Sequence, residues 1–537
     1  MQFGKSLAFR FVFIVIMVIV LIGCGRRQTN RENAEPRDFG PTGEVEYPIE
    51  TDITITWWVE LSGNMRANYT TMANTPYGKA LMEKTGVNIR FIHPPAGAAN
   101  EQFNLMIASG DLPDIIERNW SLYPGGPEKA ISDNIIVRLN DIISDYSPNL
   151  TTYLESNPDF DRMVKLDDGS YVVYPFIRGD PGLWAGNGVM IRQDWLDELG
   201  LQMPETINEW HTVLTAFKNQ KGSQAPLSFE FGAYMGWNPF VNAYNVMRGL
   251  YVGDDGNVKF GQIEDGYREF LTTFAAWYRE GLIDRDLPTL QQQQVAAKVT
   301  GGIAGTTIGA LGSRMGAWIP AGRVTNPNFN LVAAPQPTLR KGEKPKYVLG
   351  MVGAGYTGVA ITKASRYPDI AARLLDWGYS AEGMLFHNFG IEGESYVMKD
   401  GKPVFTDEVM NNPRGWPPSQ ALAAYARSQE SGPFVQDIRY YEQYMALPEQ
   451  RDALRIWASD RTSKNTLPPT TPTQDEASRY ARIMNEINTY VAEMEVRFII
   501  GTESLSNWDN FVNTVKRMGI DRALEIQNVA LARYYAR

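Results

Sequence analysis

Ile53-Thr-Ile-Thr-Trp57, Thr75-Pro-Tyr-Gly-Lys-Ala-Leu-Met-Glu-Lys84, Val87-Asn-Ile-Arg-Phe91 and Phe103-Asn-Leu-Met-Ile-Ala-Ser-Gly-Asp-Leu-Pro-Asp-Ile-Ile116 are the four pieces whose reading decides the fold. The first alternates β-branched residues, a strand signal. The second is made of helix formers and stops before Gly86. In the third, Val87, Ile89 and Phe91 alternate with Asn88 and Arg90, a second strand. In the fourth, Phe103, Met106 and Ile107 recur at helical spacing, Ser109-Gly110 ends the helix, and Ile115-Ile116 makes a short buried strand. Strand, helix, strand, helix, strand with tight connections predicts a parallel, doubly wound sheet.

Toward the carboxyl end, Val189-Met-Ile191 predicts a strand that leads into a helix over Asp194–Leu199, with Gly200 as its stop. Thr206 and Glu209 have capping-box spacing at the head of the next helix. Another helix covers Tyr267–Arg279. The tail beyond Glu476 sets Ile483, Ile487, Tyr490 and Met494 on one helical face, and shorter helices follow near 511–518 and 523–534. Residues 301–320, GGIAGTTIGALGSRMGAWIP, are small enough to let backbone approach a ligand or to turn a loop beneath a cleft. No internal repeat is visible. At roughly 100–200 residues per domain, 537 residues need more than one core.

Ahead of the first strand, residues 25–50 are polar, contain Pro and Gly, and have no apolar period, which reads as a flexible tether. Before them, Lys5 and Arg10 precede an apolar run from Phe11 to Ile22. That run is shorter than the roughly 20 residues a spanning helix needs, so it reads as a secretory signal. Leu21-Ile22-Gly23-Cys24 at its end resembles the lipobox of bacterial lipoproteins, which implies that Cys24 is acylated and becomes the new amino terminus. Cys24 is also the only cysteine, so no disulfide can form within the chain. The formal charge of −10 becomes −12 once Lys5 and Arg10 leave with the signal. An acidic body disfavours nucleic acid and electrostatic adhesion to an anionic membrane, so the lipid would do the holding. The three histidines, His93, His211 and His387, include no i,i+4 pair, which argues against a zinc site.

Two patterns imitate chemistry. Gly353-Ala-Gly355-Tyr-Thr-Gly358 matches G-x-G-x-x-G, but Val359-Ala-Ile361 after it reads as strand where the dinucleotide fingerprint needs a helix. A glycine-rich crossover or hinge is the better use. Asp167-Asp168-Gly169 and Asp254-Asp255-Gly256 read as turn acids, since neighbouring carboxylates in a turn point apart and do not flank a bond as a catalytic pair must. What stands out is aromatic surplus, with 13 Trp and 26 Tyr. Trp57-Trp58-Val-Glu60 ends the first strand and Asn119-Trp120 follows the third, where open α/β sheets place ligands. Tyr234, Trp237-Asn238, Trp318, Tyr356 and Trp416 fall in predicted loops. A sugar offers apolar C–H patches rimmed by hydroxyls, so stacking rings beside Asn, Glu and Arg suit it. Trp195, Trp210, Trp277 and Trp377 lie on helical faces and read as core.

Phe103–Ile115, together with Met190-Ile-Arg-Gln-Asp-Trp-Leu-Asp-Glu-Leu-Gly200, Pro204-Glu-Thr206, Gly281-Leu-Ile-Asp284, Gly358-Val-Ala-Ile-Thr362 and Phe389-Gly-Ile-Glu-Gly-Glu394, resembles extracellular solute-binding proteins of family 1, which serve carbohydrate ABC importers. The likeness runs through residues 50–537 and is nearest to long oligosaccharide- and alginate-binding members. It implies a two-lobed α/β fold of periplasmic-binding-protein type, each lobe a doubly wound, mostly parallel sheet, with hinge crossovers and ligand held between the lobes. By that analogy 1–23 is the signal, 24–50 the anchored tether, 51–180 plus 355–430 the first lobe, and 181–354 plus 431–537 the second. Carried over by position, Trp57, Glu60, Asn64 and Trp120 would meet ligand from the first lobe, and Tyr234, Trp237, Arg314 and Trp318 from the second. Several long relatives have a calcium loop before the Pro-Leu-Ser that is here Pro226-Leu-Ser228. Lys218-Asn-Gln-Lys-Gly-Ser-Gln-Ala225 offers no carboxylate to a cation that wants six or more oxygens, so no metal and no cofactor is expected.

The reading is a monomeric, lipid-anchored, non-catalytic receptor at the outer face of the cell membrane. It would capture an oligosaccharide and hand it to ABC permease subunits, without nucleic-acid partners. A surface glycosidase using paired carboxylates, or a sugar sensor for a membrane signalling partner, are the alternatives.

Overall fold

The computed structural model describes residues 46–231, 238–347, 352–459 and 465–537. Two sheets organise them, with strands β1 (Thr54–Trp58), β2 (Asn88–Ile92), β3 (Ile115–Asn119), β4 (Tyr174–Pro175), β5 (Asn187–Arg192), β6 (Thr306–Ala310), β7 (Leu331–Ala333) and β8 (Thr357–Ile361). The first sheet has the order β2-β1-β3-β8-β4 and the second β7-β5-β6.

In the first sheet the local signals act as expected. The helix Pro76–Thr85 opens with the Thr75 hydroxyl accepting from the Gly78 amide at 2.9 Å and closes at Gly86, whose φ is +73°. A side chain at Gly86 would fall 2.1 Å from the Ile49 carbonyl oxygen, so position and conformation both demand glycine. The chain returns through this helix to β2 and through the helix Ala99–Ser109 to β3, on opposite sides of β1. Both pairings are parallel, with Trp57 opposite Phe91 and Trp58 opposite Ile116. β8 then joins antiparallel to β3, with Ile361 opposite Ile115. Gly358 lets β8 lie against β4, since a Cβ there would sit 2.2 Å from the Tyr174 carbonyl oxygen. The glycine-rich 353–358 segment thus feeds a strand, and its spacing serves strand contact.

The second sheet corrects one expectation. Both of its pairings are antiparallel: β5 runs against β7, with Leu331 opposite Arg192, and against β6, with Asn187 opposite Ala310. β6 and β7 are joined by the helix Gly316–Thr325 and point the same way on either side of β5. That crossover fixes their mutual direction. β5 is separated from β6 by residues 193–305, so no short crossover constrains it to run parallel.

The largest core gathers around the helices Ile207–Gln220, Asp265–Arg279, Gln474–Ile500 and Trp508–Arg517. Thr206 and Glu209 form the expected capping box. Phe240 meets Trp210, Phe274 and Trp277 edge-on at 5.3–6.1 Å, and each such pair contributes about 0.5–1.5 kcal/mol beyond its buried area. Trp195, Trp210, Trp277 and Trp377 are all buried. The two acidic turns are ion-paired: Asp167 with Arg533 and Arg537, Asp168 with Arg138, Asp254 with Lys346, Asp255 with Lys259. Among the described residues, no helix is long and apolar enough to cross a membrane.

Three stretches carry the chain between the sheets, and they lie side by side. Ile177–Arg178, on the way from β4 to β5, pairs in parallel with Val435–Gln436. The Arg178 amide donates to the Gly353 carbonyl at 2.7 Å, on the segment that brings the chain back from β7 to β8.

Candidate functional site

A cavity of about 640 Å³ opens where these stretches pass between the sheets. On the side of the first sheet it is lined by Asn64, the Pro417–Gln420 turn, Gln429 and Glu430. Opposite stand Ala310, Gly312, Ser313, Gly316, Ala317 and Pro320, with Leu447 and Gln450. The connections contribute Arg178, Asn187 and Gln436, and the helix Ile438–Tyr444 contributes three tyrosines.

Local sequence explains each wall. Asp437 caps the tyrosine helix by accepting from the Arg439 amide at 2.8 Å. Tyr440 and Tyr444 are spaced i,i+4 and share a face, with Tyr441 beside them. Tyr440 is buried, and its hydroxyl accepts from Gln436 Nε2 at 2.9 Å. Tyr441 and Tyr444 are half-buried. Opposite them, Leu311–Met315 makes one turn of π-helix, a form frequent at functional sites. A Cβ at Gly312 would lie 3.1 Å from the Tyr444 ring, and one at Gly316 would lie 2.7 Å from Gln450 Nε2. The glycine-rich 301–320 stretch therefore turns beneath a cleft, the second of its two expected uses. On the near wall the amides are already engaged: Asn64 Nδ2 donates to Gln429 Oε1 at 3.4 Å, Gln429 Nε2 to the Ser419 carbonyl at 2.9 Å, and Asn68 Nδ2 to Gln420 Oε1 at 3.3 Å.

The charges of this cleft balance. Among the described residues that line it, Arg178 is the one cation and Glu430 the one carboxylate. Burial lowers Arg178 from its ordinary value, partly offset by Tyr440 and Tyr441. Hydrolysis of a glycosidic bond needs two carboxylates roughly 5–10 Å apart, and this lining does not supply them. Four glutamines, two asparagines and three tyrosines instead offer paired donors and acceptors beside aromatic faces.

A second cavity, of about 260 Å³, lies at the carboxyl ends of β1 and β3 and shares Glu430 with the first. Its lining includes Trp58, Glu60, Asn100, Glu117, Arg118 and Arg427. Arg427 Nη2 donates to Glu117 Oε1 at 2.7 Å, and both side chains are buried. Burial alone would lower the Arg427 guanidinium, but Glu117, Tyr77 and Glu430 together more than offset it and the group ends above its ordinary value.

The expected site residues divide. Asn64 lines the larger cavity and Glu60 the smaller. Trp416 is half-buried beside the Pro417 wall, edge-on to Tyr69 at 6.2 Å, with Arg414 over its ring at 4.7 Å. Trp57 and Trp120 line neither cavity, being 1% and 0% exposed. Trp57 packs on Phe91 and Trp120 on Phe103. Successive strand residues face opposite ways, so it is Trp58, not Trp57, that reaches the pocket. Trp318 is buried among Met190, Leu311 and Ile319. Arg314 Nη2 donates to Glu230 at 2.7 Å and Nη1 to the Ile308 carbonyl at 3.1 Å, which commits it to the frame of the loop. Tyr356 is buried, donating to the carbonyls of Lys165 at 2.9 Å and Pro469 at 3.2 Å. Tyr234, Trp237 and Cys24 lie outside the described residues. The tyrosine helix and the glutamines were missed. Arg439-Tyr-Tyr-Glu-Gln-Tyr444 was the available signal, as an i, i+1, i+4 aromatic set inside a polar segment.

The 218–225 segment is held by its own cations. Lys218 Nζ donates to the Glu280 carbonyl at 2.5 Å, Lys221 pairs with Glu198, and Ser223 Oγ donates to the Ile303 carbonyl at 2.7 Å. Among the described residues, no group of three His, Cys, Asp or Glu side chains is placed to hold a metal ion. EDTA is expected to leave the melting temperature and the affinity for ligand unchanged. A clear fall in melting temperature that calcium restores would overturn this.

Residues 68–385 match the family described as bacterial extracellular solute-binding protein. The chain is 23% identical over 569 residues to the fructooligosaccharide ABC transporter substrate-binding protein FusA of Streptococcus pneumoniae, covering 99% of each. It is 25% identical over 472 residues to the lipoprotein LipO of Bacillus subtilis, covering 83% of this chain and 86% of that one. Among solved structures, the alginate-binding protein AlgQ2 without calcium ion superposes with a TM-score of 0.73 at 26% identity, over 91% of this chain and all of AlgQ2. FusA in complex with kestose gives a TM-score of 0.74 at 22% identity, over 90% of this chain and all of FusA.

Proposed function

This chain belongs to the bacterial extracellular solute-binding protein family, and on that premise we propose that it captures an oligosaccharide in the 640 Å³ cleft and delivers it to the permease subunits of an ABC importer. It has the two-lobed α/β fold of that family and is a binding protein, not an enzyme. The observation that carries the ligand class is the cleft's lining, with many side-chain amides and tyrosines and, among the described residues, one charge of each sign. Sugar hydroxyls both donate and accept, which matches amides, while ring C–H faces match Tyr441 and Tyr444. FusA and AlgQ2 are named for oligosaccharide and alginate binding, which supports the same class. The side-by-side connections through Arg178, Gly353 and Gln436 would act as the hinge about which the lobes, 51–180 plus 355–430 and 181–354 plus 431–537, close on ligand.

The test is a thermal-shift screen of the full chain against neutral and acidic oligosaccharides. A ligand held 100-fold above its dissociation constant adds about 2.7 kcal/mol of stability. Absence of any shift across fructan, maltodextrin, alginate and polygalacturonan fragments would overturn the reading.

The chain would work as a monomer, held by acylated Cys24 at the outer face of the cell membrane on the tether of residues 24–50 after loss of residues 1–23. The motif before Cys24 and the likeness to a lipoprotein support this. Cys24→Ser is expected to fold and bind normally but to leave the membrane pellet on fractionation. A mutant that stays in the pellet would sink the anchor.

A further inference from the structure

Residues 59–72 leave the end of β1 as one loop, and a single imidazole holds both of its ends. Glu60 and Ser62 of this loop line the smaller cavity and Asn64 the larger. Asn68 Nδ2 donates to Gln420 Oε1 at 3.3 Å, which ties the loop to the Pro417–Gln420 turn. His93, directly after β2, lies with Nδ1 2.9 Å from the Val59 carbonyl oxygen, at the start of the loop. Its Nε2 lies 3.1 Å from the Met72 amide and 3.4 Å from Thr71 Oγ1, at the finish. A carbonyl can only accept, so Nδ1 carries the proton; an amide can only donate, so Nε2 is bare. One neutral tautomer makes both bonds. The imidazolium, a donor at both nitrogens, would set an N–H against the Met72 N–H and break the loop's second attachment.

The surroundings keep the ring in that neutral form. It stacks on Phe91 with centroids 6.0 Å apart and planes at 8°. Met72 is 1% exposed, and its Sδ accepts from Arg427 Nη1 at 3.6 Å. The finish of the loop is thus tied to His93 and, through Arg427 and its partner Glu117, to the smaller cavity. Two cations act on the ring: Arg427, and Arg66 at the end of the short helix Gly63–Arg66. Glu60, the residue after Val59, is exposed. Burial is the largest influence and lowers the imidazole from its ordinary value; the bond to Val59 opposes it, and Arg427 and Arg66 add to the lowering. A histidine lowered on folding gives its full stability above the unfolded value, about 6.5, and loses it as pH falls from there toward the folded value. His387 stays neutral through this range, since burial pushes it to about 3. His211 sits at the surface, paired with Glu280.

We propose that His93 is a positioning residue, a titratable staple that holds the 59–72 loop against bound sugar at neutral pH and loosens it in acid, so that the chain gives up its ligand as pH falls. The proposal rests on the oligosaccharide reading above. Sugar that uses the stapled wall favours the neutral ring, so its affinity is full above the ligand-free midpoint of His93 and declines below it.

Calorimetry from about pH 7.5 to about pH 4.5 tests this on the full chain as wild type, His93→Gln and His93→Leu. The sugar is whichever fructan, maltodextrin, alginate or polygalacturonan tetrasaccharide binds. Gln places a donor and an acceptor on one planar group that does not titrate, and Leu offers neither. Over that range wild type should lose about 5-fold more affinity than His93→Gln, as one hydrogen bond predicts. His93→Leu should be about 5-fold weaker than wild type at the upper pH, with no such extra fall at the lower. Equal pH dependence in wild type and His93→Gln would overturn the proposal, because a merely structural ring would give that result. If His93→Leu melts too early to titrate, His93→Gln still decides. Histidine NMR on the sugar-free chain adds an arm without ligand: His93 should be the Nδ1–H tautomer with a midpoint below about 6.5. The Nε2–H tautomer, or an unshifted midpoint, would overturn the staple. Wild type that binds none of the four tetrasaccharides would instead overturn the parent reading.

Discussion

Trp57→Ala and Trp120→Ala should each lose about 3–5 kcal/mol of folding stability while binding oligosaccharide as tightly as wild type. Both rings are buried, and neither borders either of the two cavities described. Trp57 is held against Phe91, its register partner on β2, with ring centroids 5.7 Å apart. Trp120 meets Phe103 edge-on at 5.9 Å. Removing either leaves a hole that the surrounding sheet and helix can only partly close, and the cost is lost transfer energy plus the cavity term. Denaturant melts paired with calorimetry separate the two roles. If either variant melts like wild type but loses affinity, the ring faces ligand and the assignment of the cleft is wrong.

Tyr444→Ala should do the opposite, weakening oligosaccharide by about 2 kcal/mol, roughly 30-fold, with little change in melting temperature. Tyr444 is half-buried, lines the 640 Å³ cleft and lies over the side-chain-free Gly312. An aromatic face in that position stacks on a sugar ring at small entropic cost. Tyr444→Phe keeps the face and should retain most of the affinity. Wild-type affinity in Tyr444→Ala would remove the tyrosine helix from the site.

Much of the fold was legible because its signals are local. Thr75 and Gly86 bracket a helix, Thr206 and Glu209 cap another, and both do so in the structure. The direction of β5 was not legible, because it depends on where a chain returns after residues 193–305 and no neighbouring residue encodes that. The site was half legible. Composition pointed to aromatic recognition of sugar, and Glu60 and Asn64 do border cavities. The choice between Trp57 and Trp58 failed because both faces of a doubly covered sheet are buried, so apolarity does not say which face looks outward to the crevice. Tyr441 and Tyr444 are hard to read because their i, i+1, i+4 aromatic set spans little more than one turn of a seven-residue helix in a polar segment.

The order β2-β1-β3-β8-β4 has a consequence for how the chain comes into being. β3 is complete at Asn119, but its neighbour β8 begins only at Thr357. A polypeptide that emerges amino end first therefore holds the edge of β3 unpaired throughout synthesis of residues 120–356. An unpaired strand edge is a template for pairing with other chains, and long-range pairing is slow to form. Whatever escorts the nascent chain across a membrane must keep that edge apart until its distant partner arrives.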